Sequence, residues 1–344
     1  MTPRAPAFRL AIDSQDITAK VERRVESITL TDNRGFDADQ VEIVLLDHDG
    51  KLDIPTRGAK LTLALGYAGE PLIDKGTFVV DDIEHQGAPD KLILRASSAD
   101  LRAGLSDKKE RSWHRQTMGA IVRTIAKEAG LQPAITADLA KQPIAHIDQT
   151  SESDINLLSR LAAMFDAVAT VKAGRLLFIK AGAAQTASGQ PLAAVTITRQ
   201  DGDSHHFTVG DREAYTSVQA HYQDTKGAHK GTITWPDKPK RKKGDKRTTN
   251  STDSVKTLRH TYANSANAKR AAKSEWERIQ RGMATFSLTL AHARPELFPE
   301  LPATVQGFKS AIDALPWIVT KATHRLADGF TTEVELEVAA EALT

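Results

Sequence analysis

Two stretches of this chain follow one plan, and any fold for the chain has to contain that plan twice. Residues 66 to 98 run Gly66-Tyr67, Ile73-Asp74, Phe78-Val79-Val80 and His85, then the strand-like Lys91-Leu92-Ile93-Leu94-Arg95-Ala96. Residues 307 to 339 answer with Gly307-Phe308, Ile312-Asp313, Trp317-Ile318-Val319 and His324, then Glu333-Val334-Glu335-Leu336-Glu337-Val338. In both, the aromatic lies five positions after the isoleucine and the histidine seven positions after the aromatic. Only two turns differ in length, and turns tolerate such changes better than strands do. The spacing predicts two related β modules in one chain. Any two β-meanders share apolar runs and turns, but the paired histidines are what such a coincidence explains worst.

The strand reading follows from pattern and punctuation. Leu61-Thr62-Leu63-Ala64-Leu65 alternates with period two, and Gly66, Gly69 and Pro71 interrupt it. Thr77 to Ile83 and Lys91 to Ala96 are strands joined through Gly87-Ala88-Pro89-Asp90, and the second copy turns at Asp328-Gly329. Short strands closing on themselves point to a small barrel. Neither His85 nor His324 has a His, Cys or carboxylate at ligand spacing, so both are expected as packed, hydrogen-bonded histidines rather than metal ligands.

The chain's 344 residues imply two or three domains, and its 40% hydrophobic content is enough for proper cores. The absence of cysteine excludes disulfides, thiolate nucleophiles and sulfur-ligated zinc, and fits folding in a reducing compartment. Met1 to Leu10 has no basic segment followed by an apolar core, and no apolar run approaches the roughly 20 residues of a membrane helix. A soluble protein is expected. With 46 basic against 44 acidic residues, bulk charge does not point to nucleic acid.

In chain order, Phe8 to Ile12, Val25 to Leu30 and Ala38 to Leu46 read as strands. The turn Asp47-His48-Asp49-Gly50-Lys51-Leu52-Asp53 is rich in oxygen ligands. A twelve-residue calcium loop, however, wants Gly sixth and a bidentate Glu twelfth between helices, and here Gly50 is fourth and strands flank it. From Ser106 the texture turns helical. Met118, Ile121, Val122, Ile125 and Ala129 share a face, with Gly130 at the C-cap. Ser151 with Asp154 makes a capping-box-like start for a helix carrying Ile155, Leu158, Leu161, Ala162 and Phe165. Ala167 to Val171 and Arg175 to Lys180 form a hairpin across Lys172-Ala173-Gly174. Glu152, Asp154 and Asp166 could suggest a glycosidase pair, but capping and solvation account for them and no aromatic sugar platform lies beside them.

Residues 183 to 190 are small and polar, a linker or exposed loop. Val195-Thr196-Ile197-Thr198 opens a second barrel and Val218-Gln219-Ala220-His221-Tyr222 continues it. Gln223 to Ser254 reads as a mobile loop holding the one strong charge run, Pro236 to Arg247. Clustered Lys and Arg can release counterions from phosphate. The run nevertheless lacks interleaved aromatics and any groove-reading helical register, which favours a solvated loop. His205, His206, His221 and His229 show no metal spacing and are expected as loop and strand residues. Asn264 to Gly282 is a helix in which Trp276 and Ile279 pack.

Several of these motifs, in order, closely resemble the phage late control D family, the tail baseplate hub proteins of contractile-tailed phages. They are Gln149-x-x-Glu152-Ser153-Asp154-x-x-Leu157-Leu158-x-Arg160-Leu161-Ala162 followed by Gly174-Arg175-Leu176-Leu177-Phe178; Asp49-Gly50-x-Leu52-x-x-Pro55-x-x-Gly58-x-x-Leu61 with Gly66-Tyr67; and Ala271 to Gly282 leading into Leu288-Thr289-Leu290. More distantly the chain is similar to the N-terminal part of type VI secretion spike proteins. Those continue into a β-helical spike, whereas this chain ends after its second barrel, so the spike is expected as a separate polypeptide.

The fold class expected is α+β, mainly β. A first tube-like β-barrel covers 1–105, a helical α/β insertion with a β-hairpin covers 106–182, and a second tube-like barrel covers 183–344, with the basic loop 223–254 and the helix 264–282. The resemblance implies a homotrimer whose six barrels form a pseudo-sixfold ring between a sixfold tail tube and a threefold spike. Expected partners are itself, the tail spike, the tube or a tube-initiating protein, and other baseplate proteins, with no membrane anchor and no specific nucleic acid. The expected location is the virion tail baseplate or a tail-like particle, assembled in the bacterial host cytoplasm. No residue is assigned as catalytic, cofactor-binding or metal-ligating. The alternatives are a nucleic-acid-binding late-gene regulator using the basic loop, for which no helix-turn-helix is found, and a tail-associated cell-wall hydrolase.

Overall fold

A computed structural model describes residues 4–98, 104–210, 215–224, 229–236 and 254–339. In the first part of the chain β1 (Pro6–Ile12), the two-residue β2 (Gln15–Asp16) and the short α1 (Thr18–Val21) precede β3 (Val25–Asn33), β4 (Gln40–Leu46), β5 (Lys60–Tyr67), β6 (Ile73–Gln86) and β7 (Lys91–Ser98). Alternation decides what each strand buries. In β4, Val41, Ile43 and Leu45 point inward while Gln40, Glu42 and Val44 do not. The strands lie in the order β1-β5-β6-β7-β4-β3, and inward side chains from all six meet in one apolar cluster.

The middle of the chain comprises β8 (Lys108–Thr117), α2 (Met118–Glu128), β9 (Gln132–Ile135), α3 (Ala137–Ala140), β10 (Pro143–Ser153), α4 (Asp154–Phe165), β11 (Ala167–Lys172) and β12 (Arg175–Lys180). The Thr117 hydroxyl caps α2 by accepting from the Ala120 amide, and the apolar stripe Met118, Ile121, Val122 and Ile125 is buried as its spacing required. The helix stops where Gly130 adopts φ +69°. The start of α4 differs from the sequence expectation. Residues 149 to 153 are still strand, Ser151 sits at φ 48° beside a β-bulge, and Ser153 is the N-cap, accepting from the Asn156 amide. Strand pairing holds the chain extended for two residues beyond the point where the local capping pattern begins.

In the last part, β13 (Val195–Thr198) and β14 (Gly202–Val209) are followed by β15 (Ser217–Asp224), β16 (His229–Trp235), β17 (Val255–Tyr262), α5 (Ser265–Arg281), β18 (Ala284–Leu290), β19 (Pro302–Gln306), α6 (Ser310–Asp313), β20 (Trp317–Leu326) and β21 (Phe330–Val338). Here β13-β19-β20-β21-β18-β14 repeats the strand order of the first six. One partner differs: β13 runs parallel to β19, whereas β1 runs antiparallel to β5. Because β20 also pairs with β3, both sets belong to one 13-stranded sheet.

Two sequence expectations change in this region. The stretch containing Val218 to Tyr222 is β15, which lies outside that sheet in a separate three-stranded one with β16 and β17. Alternation marks a strand but not the sheet it joins. Ala268 and Ala272, one helical turn apart, let α5 approach closely and bury Val218 and Ala220. Residues 223 to 254 are not all loop either, since His229–Trp235 pairs along β15. In that ladder a Cβ at Gly231 would lie 2.4 Å from the Tyr222 hydroxyl oxygen, so a larger residue there would displace the Tyr222 ring. Residues 237–253, with most of the basic run, lie outside the described residues.

Candidate functional site

The duplication is closer in the backbone than in the sequence. In the first hairpin Phe78 stands opposite Ser98, Val80 opposite Ala96, Ile83 opposite Leu94 and His85 opposite Leu92. In the second Trp317 stands opposite Val338, Val319 opposite Leu336, Ala322 opposite Val334 and His324 opposite Thr332. Each carries a β-bulge at the matching place, after Val80 and after Val319. A second matching bulge follows Val25 in the β3–β4 pair and Gly202 in the β14–β18 pair. Bulges are single-residue insertions that bend a strand at a defined point, so two coincidences make the modules copies of one backbone.

The modules meet where β3 pairs antiparallel with β20. Tyr67 and Phe330 pack with ring centroids 5.5 Å apart, and the Tyr67 hydroxyl donates to the Ala293 carbonyl at 3.0 Å. Leu326 and Phe330 of the second module lie in the first module's core. Beside them Lys75 donates to Asp32 at 2.8 Å and to the Pro295 carbonyl at 2.9 Å. His324 is fully buried, with Nδ1 2.8 Å from the Thr332 hydroxyl and Nε2 3.7 Å from Asp32. That second distance is an electrostatic contact rather than a hydrogen bond. Burial pushes the Asp32 carboxyl up, but the polar contacts of His324 and Lys75 outweigh it and hold it at about 2. Burial keeps the His324 imidazole below its ordinary range, only partly offset by Asp32.

A second charged cluster ties in the middle of the chain. Asp166, left-handed at the end of α4, receives two guanidinium nitrogens of Arg281 at the end of α5, and Lys180 at 2.7 Å. Arg281 also lies 3.4 Å from Glu337 on β21, while Arg34 bridges Glu337 and Glu300, each at 2.5 Å. Arg34 and Glu300 touch as ions without hydrogen-bond alignment. Burial pushes the Glu300 carboxyl up despite Arg34. A cleft of about 910 Å³ opens between these parts, lined among others by Lys75, Asp39, Lys172 and Glu300. The clusters hold the modules and the intervening helices in one orientation. Each acid in them is matched to a cation.

The model of the phage tail baseplate hub (GPD) family matches residues 39–330. The chain belongs to that family. It is 47% identical to the probable baseplate hub protein of Escherichia phage 186, over 98% of this chain and 94% of that protein. Its fold is similar to the 43 kDa tail protein of prophage MuSo2 from Shewanella oneidensis, with TM-score 0.70, 14% identity, and coverage of 98% of this chain and 99% of that one. It is also similar, with TM-score 0.55, 13% identity, and 96% and 76% coverage, to an E. coli protein described as a type VI secretion component resembling T4 phage tail proteins. The chain is a structural hub protein of a phage tail baseplate.

Within the hub, many of the residues considered from sequence have definite partners. Glu152 pairs with Arg160 at 2.6 Å, Asp154 is buried between Arg111 and Lys109, and Asp166 holds Arg281. In the Asp47 to Asp53 turn, Asp47 accepts from the Leu52 amide and Asp49 forms a two-pronged pair with Arg24. His85 contacts Asp47 at 3.3 Å and its side chain is 40% exposed, although its register matches that of buried His324. His206 meets Thr208, and His221 meets Thr232. Among the described residues no group of three or more His, Cys, Asp or Glu could hold a metal ion, and no helix is long and apolar enough to cross a membrane. Sequence reading gave Arg34, Glu300 and Glu337 no role in tying these parts together. Arg281 had one signal: it follows Ser274 by seven residues, two helical turns, on the same buried face of α5.

Proposed function

We infer that this hub works as a homotrimer, its two modules per chain giving a six-part ring that accepts a sixfold tail tube on one side and a threefold spike on the other. The observation that carries this reading is the duplicated backbone, matched down to two β-bulges. A heterologous ring forms only when its rotation closes, and a part with both three- and sixfold character joins the two symmetries without mismatch. On this reading residues 1–105 and 183–344 are the ring-forming parts and 106–182 is an insertion. The partners are the spike, the tube or a tube-initiating protein and neighbouring baseplate proteins, and assembly takes place in the host cytoplasm. The role is non-enzymatic, which the pairing of every candidate carboxylate with a cation supports. Native mass measurement of the protein with its spike tests this: three hub chains per spike trimer are expected, and two or four overturn it.

A further inference from the structure

We propose that neighbouring hub chains join by adding β14 of one chain to the outer half of β6 of the next, in the register that β3 and β20 use within a chain. The proposal rests on the ring reading above and specifies its contact. The internal junction is the template: Asn33 stands opposite Lys321, Asp32 opposite Ala322, Thr31 opposite Thr323, Leu30 opposite His324 and Thr29 opposite Arg325. In the second module β14 occupies the place of β3, since both pair with the equivalent strand (β18 or β4) and both carry the same bulge. In the first module β6 occupies the place of β20, again with the same bulge.

What those two counterparts lack is each other. Among the described residues β14 pairs only with β18, and β6 from Asp82 to Gln86 pairs only with β7. Unpaired strand edges of this kind recruit a further strand. Carrying the template over sets Asp82 opposite Gly210, Ile83 opposite Val209, Glu84 opposite Thr208, His85 opposite Phe207 and Gln86 opposite His206.

The side chains fit that register. At the internal junction the covered face holds Ile28, Leu30, Asp32, Ala322, His324 and Leu326, all buried. The matching positions on the free edges hold His205, Phe207 and Val209 on one side and Ile83 and His85 on the other, apolar or aromatic but exposed or half-buried, with Gly87 in the place of Leu326. Val209, 65% exposed, is a large hydrophobic residue open to solvent, and Ile83 is what the register places over it. His85 would take the covered position that His324 holds inside the chain. The two free edges are the counterparts of strands that pair inside the chain and both lie on the same chain, so a second copy is the occupant and the contact runs head to tail.

The chain has no cysteine, so a designed pair reports cleanly. Directly opposed strand residues have Cα atoms on the order of 4.5–5.5 Å apart, within disulfide range. The full chain carrying Ile83→Cys and Val209→Cys, concentrated and oxidised, should run on a non-reducing gel as a ladder ending at a closed trimer that reductant dissolves. The out-of-register pair Glu84→Cys with Val209→Cys should not. Val209→Lys, on an exposed edge outside the core, should abolish the trimer while leaving the circular dichroism spectrum unchanged. A trimer by native mass that the 83/209 pair does not link overturns the strand pairing and leaves the ring reading standing. A linked ladder running past three chains supports the pairing and overturns the threefold ring. Absence of any linked species, or linkage to another tail protein instead, overturns the proposal.

Discussion

Replacing Asp166 by asparagine isolates the charge that ties α4, α5 and β21 together. Asn tolerates the left-handed φ of 48° that Asp166 adopts, so the backbone of the α4 terminus is kept and only the negative charge is lost. Arg281 is 2% exposed, and its other acidic neighbour, Glu337, is 3.4 Å away and shared with Arg34. Breaking a buried pair by removing one partner costs about 3–5 kcal/mol, and the retained amide oxygen puts Asp166→Asn near the lower end, about 3 kcal/mol. In a protein of several packed parts this is read as local opening rather than one global transition. Hydrogen exchange of the α4 and α5 amides should accelerate by about two orders of magnitude. Adding Arg281→Met removes the stranded charge and should recover most of the loss, because apolar replacement of a whole buried pair is close to neutral. A loss under about 1 kcal/mol, or a double variant as damaged as the sum of the singles, would refute the claim that this pair couples the three elements.

Other expectations are simpler to state. Burial holds His324 below its ordinary pKa of 6.5, so below that pH the unfolded chain binds a proton that the folded chain refuses. Stability should then fall as pH drops from 6.5, by about 1.4 kcal/mol per unit until the folded value is reached, and His324→Gln should flatten that slope in urea titrations. Asp32, held at about 2 against 3.8 when free, contributes stability that is present above pH 3.8 and lost between 3.8 and 2, a second acid step that Asp32→Asn should remove. Gly202→Ala puts a Cβ 2.4 Å from Leu288 Cδ1 and 2.9 Å from the Thr289 carbonyl; it should cost about 1–3 kcal/mol by denaturant midpoint. Purified hub should release no soluble fragments from bacterial cell wall, and release abolished by Glu152→Ala or Asp154→Ala would overturn the non-enzymatic reading.

How much of this was legible in the sequence depended on how local the signal was. Alternation in Val41-Glu42-Ile43-Val44-Leu45 and the stripe from Met118 to Ile125 specify their elements directly, because neighbours within a few residues decide them. The repeat was legible from Phe78, Trp317, His85 and His324, since seven residues of strand preserve spacing when turns do not. The bulges after Val80 and Val319 left no mark, because a bulge is a relation between two strands. Sheet membership was equally hidden: Val218 to Tyr222 alternates like any other strand here, and α5's alanines are what set it apart. The Asp166, Arg281 and Glu337 cluster joins residues distant in sequence, so only packing brings it together. The different surroundings of His85 and His324 reflect a junction made on one edge and open on the other, which no single copy of the motif can reveal.

The measurement that bears most directly on the central claim is a reconstruction of the assembled tail tip without imposed symmetry. Three hub chains should form one ring of six β modules in which first and second modules alternate, with every module-to-module contact continuing the sheet as β3 and β20 do. A ring of six hub chains, or one whose contacts between chains leave β14 and the outer half of β6 unpaired, would contradict the account.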